Sequence, residues 1–118
     1  MNVPSPVAHP TTPPPTCVIT QTHLTDMAPF RDIFDPARPV EVDIGCGKGR
    51  FLLARAAANP HVQYLGIERL LARVRKIDKK VQRNQLGNVR LIRLEATYTL
   101  RQFLPEHAIR AFYLFFPD

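Results

Sequence analysis

The chain has 118 residues, enough for one domain or one domain and a tail. It carries 16 Lys and Arg against 10 Asp and Glu, a net charge of +6, which favours an anionic partner, nucleic acid before membrane. Hydrophobic residues make up 45%, which excludes a wholly disordered chain, and no apolar run reaches the ~18 residues of a membrane span.

Six of the 12 prolines fall between Pro4 and Pro15, in a stretch without charge or periodicity. Proline fixes φ and removes a donor, so this leader reads as extended and mobile. The first charged residue is Asp26, which speaks against a signal peptide or an Arg-rich transit peptide. Cys17 and Cys46 lack metal-ligand spacing, so neither a metal site nor a disulfide scaffold is expected, and the cytoplasm is the expected compartment. Residues 17–38 form a transition in which Met27, Phe30, Ile33 and Phe34 suit a short helix packed on the domain. Leader and transition together span 1–38, and the folded domain spans 39–118.

Val40, Val42 and Ile44 alternate with Glu41 and Asp43, the period of a strand. Gly49 to Ala58 is rich in Ala, Leu and Arg, and Asn59-Pro60 stops it, as at a helix end. Val62 to Ile67 is a second strand. Leu70, Val74, Ile77 and Val81 share a stripe roughly 60° wide, so this segment is an amphipathic helix. Arg73, Arg75, Lys76, Lys79, Lys80 and Arg83 fall opposite that stripe. This basic face suits RNA phosphates, but it equally suits a solvated outer helix, the preferred reading because the rim of the sheet is expected at the other end. Val89 to Leu94 is a third strand, Tyr98 to Leu104 a short helix, and Ala111 to Phe116 a fourth strand, apolar enough for burial on both faces. The order βαβαβαβ implies an α/β three-layer sandwich with a parallel sheet, its four strands in the order 3-2-1-4. The last strand is left with an uncovered edge, so self-association through it is expected.

The first strand runs into Gly45-Cys46-Gly47-Lys48-Gly49, which opens onto a helix. Glycine serves where φ is positive or where a ligand approaches the backbone. The spacing G-x-G-x-G differs from the dinucleotide G-x-G-x-x-G, and G-K-[ST] is absent. A tight strand-to-helix turn has the same appearance. Glu68, 19 residues past Gly49, stands where an acid binds a ribose diol, although a helix-start charge suits it as well. Glu95 ends the third strand, where it suits an adenine amino group or a helix start. The loop and the acids suit S-adenosylmethionine, which is cationic at sulfur and at its amino group and carries no phosphate. Asp43 attracts such a ligand and repels a pyrophosphate.

With these residues in hand, the chain resembles the bacterial tRNA (guanine-N7)-methyltransferases, class I S-adenosylmethionine-dependent enzymes of Rossmann-like fold, over Val40 to Asp118. The strings are Glu-Val-Asp-Ile-Gly-Cys-Gly-Lys-Gly-Arg-Phe (41–51), Leu-Gly-Ile-Glu-Arg (65–69), Gly-Asn-Val-Arg-Leu (87–91) and Tyr-Leu-Phe-Phe-Pro-Asp (113–118). The last is the most specific to that family. The resemblance implies methyl transfer from S-adenosylmethionine to N7 of a guanosine in tRNA. It implies cofactor binding by Asp43, Gly45, Gly47, Gly49, Glu68, Glu95 and Asp118, with Asp118 also catalytic. The family continues past that acid with a basic segment and further strands, so the chain reads as a fragment with half of the cofactor sheet and impaired activity. A methyltransferase acting on another substrate, or a non-catalytic remnant that binds nucleic acid, are the competing readings. N7 of guanine has a lone pair and no proton, so no general base is needed and none of the histidines is assigned a role.

Overall fold

The computed structural model describes residues 15–19, 33–93 and 109–114. Its elements are β1 (Val18–Ile19), β2 (Val40–Ile44), α1 (Arg50–Ala58), β3 (Gln63–Glu68), α2 (Leu71–Arg83), β4 (Val89–Arg93) and β5 (Ile109–Leu114). Every strand pairing is parallel, and the sheet order is β1-β4-β3-β2-β5. Strands β4, β3, β2 and β5 stand in the order expected from the sequence. Parallel neighbours joined by helices make the Rossmann-like arrangement. The helix expected over Tyr98 to Leu104 lies outside the described residues, as do Met27, Phe30 and most of the proline-rich leader.

The additional strand, β1, lies within residues 17–38, where no strand is expected from the sequence. Val18 and Ile19 pair with Leu91 and Ile92 at the sheet edge. Asp78 of α2 holds this edge by accepting from the Cys17 N–H at 2.9 Å, the Cys17 thiol at 3.2 Å and the Thr16 hydroxyl at 2.8 Å. A two-residue strand is too short to show a period, so its sequence carries no signal. Cys17, Ile19 and Phe34 are buried, so the packed body includes residues ahead of position 39.

The sheet has an apolar cluster on each face. On one, Leu52 and Ala56 of α1 and Val74, Ile77 and Val81 of α2 pack with Tyr64, Val89 and Leu91. On the other, Val40, Val42, Leu65, Ile67 and Ile92 pack with Phe34. Alternation of this kind commonly marks a half-buried strand with a solvated polar face, yet Glu41 and Asp43 are each only 2% exposed. The reason is layering: the face that carries them is roofed by α1, whose Arg55 reaches Glu41 at 3.1 Å. The last strand differs in the opposite sense. Phe112 is 55% and Leu114 57% exposed, while Tyr113 between them is half-buried against Phe51 of α1: the two apolar side chains lie on the face of the sheet that α1 does not cover.

Candidate functional site

β2 ends at Ile44, and the glycine loop carries the chain from its carboxyl end into α1. Gly45, Gly47 and Gly49 all have positive φ, at 69°, 57° and 79°. Two of these glycines do different work. A Cβ on Gly49 would lie 2.9 Å from Ile77 Cγ1, so this glycine lets the loop settle against α2. A Cβ on Gly47 would meet nothing closer than the Gly45 carbonyl oxygen at 4.0 Å. Gly47 therefore borders open space and leaves its backbone approachable.

The loop is stapled to the neighbouring strand. The Gly45 and Cys46 N–H groups both donate to the Ile67 carbonyl, at 2.8 and 3.0 Å. Gly47 N–H donates to Glu68 Oε1 at 3.1 Å, and Leu70 N–H donates to Glu68 Oε2 at 2.8 Å. Each Glu68 oxygen thus has one backbone donor, and a carboxylate still has lone pairs beyond those two bonds. Glu68 is buried, and Arg73 Nη1 stands 4.0 Å from its Oε1. Burial, reinforced by the nearby Asp43 and Glu68 charges, pushes the Cys46 thiol up to about 12, so it stays protonated and inert.

Asp43, next to the loop in sequence, is in a different condition from Glu68. Its Oδ1 is buried without a hydrogen-bond partner among the described residues. Burial alone pushes its carboxyl up to about 6. A buried acceptor of this kind is costly unless something pairs with it. Of the site residues read from the sequence, Asp43, Gly45, Gly47, Gly49 and Glu68 come together at one rim. Glu95 and Asp118 lie outside the described residues. Among the described residues no group of three or more His, Cys, Asp and Glu could hold a metal ion, and no helix is long and apolar enough to cross a membrane.

Two features escaped the sequence reading. Gly66 is the floor of the site: a Cβ there would lie 2.5 Å from Leu52 Cδ2, 2.9 Å from Leu91 Cδ2 and 3.2 Å from Cys46 Sγ. A glycine inside an otherwise apolar strand signals such close approach. The second is a buried cluster around Glu41. It accepts from Arg55 at 3.1 Å, Tyr113 at 3.0 Å and Arg110 Nε at 3.1 Å. Val40 pairs with Ile109 but Glu41 pairs with Ala111, so β5 is bulged at Arg110. The bulge re-aims that side chain onto Glu41. Phe51 meets Tyr113 edge-on with ring centroids 5.0 Å apart, which ties α1 to β5.

Comparison with known proteins agrees with this geometry. Residues 37–118 match the model of a family described as "Putative methyltransferase". A tRNA (guanine-N(7)-)-methyltransferase of Syntrophotalea carbinolica is 35% identical over 95 residues, covering 80% of this chain and 41% of that protein. One of the same name from Treponema pallidum is 38% identical over 80 residues, covering 68% of this chain and 32% of that protein. The chain thus spans less than half of the length of these relatives. A solved 30S ribosomal methyltransferase from an uncultured bacterium superposes with a TM-score of 0.61 at 22% identity, over 78% of this chain and 44% of that one, a likeness of fold. With the family match spanning the loop, both acids of the rim and all the main strands, the chain belongs to this methyltransferase family.

Proposed function

We propose that this chain binds S-adenosylmethionine at the glycine loop and serves methyl transfer to N7 of a guanosine in tRNA. The observation that carries the cofactor assignment is Asp43, a buried carboxylate with an oxygen unpartnered among the described residues, beside a loop whose central glycine borders open space. A ligand with a cationic amino or sulfonium group supplies the missing partner, whereas a pyrophosphate would meet a like charge. The residues present therefore fit this group. The names of the curated relatives support the guanine-N7 substrate.

S-adenosylmethionine supplies an electrophilic methyl group when bound. The chain's own residues bind and orient. Asp43 offers charge to the cationic end. Glu68 fixes the Gly47 amide and has lone pairs left for a ribose diol. Gly66 keeps the loop low on β3, and Gly49 sets its approach to α2. Since N7 has no proton to lose, alignment carries most of the rate effect, and no residue here is given proton transfer. Glu95 at the adenine end and Asp118 as a carboxylate beside the reacting base remain part of the proposal.

Calorimetric titration of the chain with S-adenosylmethionine tests the reading, alongside Gly47→Val. Valine at that φ is strained, and its branched side chain occupies the open space. Binding by the unaltered chain and none by a folded variant is expected. Equal affinity in both would remove the site, and release of labelled methyl to a base position other than N7 would remove the substrate assignment.

A further inference from the structure

The outer face of α2 takes no part in the cofactor loop, yet it holds the densest charge in the described residues. Arg75, Lys76, Lys79 and Arg83 are exposed, and Lys80 flanks them half-buried. Arg75, Lys79 and Arg83 succeed one another at about one turn, a line of roughly 12 Å. None of the five side chains has an ion-pair or hydrogen-bond partner among the described residues. The helix's single acid, Asp78, is engaged by Thr16, Cys17 and Gln82. A solvated helix gains from opposite charges one turn apart, and like charges at that spacing weaken it. This helix carries the unfavourable pattern and no internal compensation.

The sequence reading sets the stripe at the end away from the rim, and the far end of α2, with Lys79 and Arg83, lies there. α2 begins at Leu71, just after Glu68, and Arg73 stands 4.0 Å from that acid. The helix therefore starts at the cofactor rim and runs away from it, and its basic stripe is a track that leads to the site.

We propose that this stripe docks the sugar-phosphate backbone of a structured RNA and guides it toward the rim. The choice of RNA rests on the function proposed above. The geometry speaks against a membrane surface. A helix that lies on lipid buries its apolar side in the bilayer, and here Val74, Ile77 and Val81 are already buried against the sheet. The two exposed leucines, Leu70 and Leu71, sit ahead of the stripe and not along it. With no aromatic side chain on that face, recognition is of phosphates and shape, not of bases.

The test uses the whole chain, a Lys76→Glu/Lys79→Glu/Arg83→Glu variant and a conservative Lys76→Arg/Lys79→Arg variant. Fluorescence anisotropy follows unmodified tRNA between about 50 and 200 mM salt, and calorimetry follows S-adenosylmethionine in parallel. The glutamate variant is expected to lose at least tenfold in tRNA affinity. Its slope of log affinity against log salt should shrink by roughly 2 to 3, about one per cation removed. The arginine variant should keep both, and cofactor affinity should be the same in all three. Equal tRNA affinity in the glutamate variant, or no tRNA binding by the unaltered chain, overturns the inference. Binding to phosphatidylserine vesicles with none to tRNA overturns it in favour of lipid. Cofactor binding without a stripe effect sinks this inference and leaves the proposed function standing. A stripe effect without cofactor binding does the reverse.

Discussion

Glu41 and Asp43 stand two residues apart on β2, and both are 2% exposed. They differ in what surrounds them. Glu41 accepts from Arg55, Arg110 and Tyr113. Burial pushes its carboxyl up, but those hydrogen bonds outweigh burial and hold it below the usual range. Asp43 has an oxygen with no partner among the described residues, and burial pushes its carboxyl up to about 6. One strand thus holds a satisfied acid that joins three elements and an acid with one oxygen unpartnered among the described residues, the oxygen proposed above to meet a cationic ligand. Satisfaction, not burial, separates a structural charge from a ligand-binding one.

Removing Glu41 is the largest way to break this contrast. Glu41→Ala strips two guanidinium groups and a tyrosine hydroxyl of their acceptor, and β5 loses its tie to β2 beyond the ladder. A loss of about 2–4 kcal/mol is expected, at the low end of broken buried pairs because both arginines reach solvent. Urea unfolding at pH 7 measures it. A change under ~0.5 kcal/mol would mean that the cluster is no clasp.

Asp43→Asn should act with the opposite sign. A carboxyl whose folded value is raised favours folding below its ordinary pKa, and that advantage is lost as pH rises through the folded value. For Asp43 the window runs from 3.8 up to about 6. At pH 7 the ionised buried acid opposes folding, so the asparagine variant should be more stable by on the order of 1–3 kcal/mol. Near pH 4 the gain should vanish. The same variant should lose most of its S-adenosylmethionine affinity. A variant destabilised at pH 7, or one that binds the cofactor as before, would place Asp43 with Glu41 as a structural acid.

Cofactor affinity should carry the same signature. A cationic ligand needs Asp43 ionised, so binding must displace a proton wherever the free chain holds one. Affinity should be flat above about pH 7 and fall as pH drops below about 6, approaching tenfold per unit if this group alone controls binding. Calorimetry in buffers of different ionisation enthalpy reads the released proton directly. Affinity that rises toward low pH would contradict an ionised Asp43.

How much of this contrast the sequence discloses depends on the length and locality of each signal. The glycine loop, Asp43 and Glu68 are legible because a strand, a loop and a helix start follow one another within 28 residues, Asp43 to Leu70. α2 is legible because Val74, Ile77 and Val81 repeat over about two turns. The Glu41 cluster is not, since Arg110 and Tyr113 lie 69 and 72 residues away and reach it through a bulge. The period-two pattern of β2 marks the strand but not the burial of its acids, because a helix roofs its polar side. β1 is invisible for another reason: two residues carry no period, and Asp78, which fixes them, is 61 residues from Cys17.

Glu68 lies between the two acids of β2, and it gives the smallest and sharpest test. Each of its oxygens accepts one backbone N–H, so it is paired like Glu41, yet by neutral amides that leave lone pairs free as at Asp43. Glu68→Gln keeps one acceptor oxygen and offers a donor where Gly47 N–H or Leu70 N–H already donates. A stability loss of about 1 kcal/mol is expected, with cofactor affinity lower by roughly fivefold, near 1 kcal/mol. The informative comparison is an analogue lacking the ribose hydroxyls. If Glu68 accepts from the diol, the variant should bind that analogue as well as the unaltered chain does, apart from any shift in the loop. An equal loss for both ligands would show that Glu68 acts only by holding the Gly47 amide, and the ribose would then be read by another group.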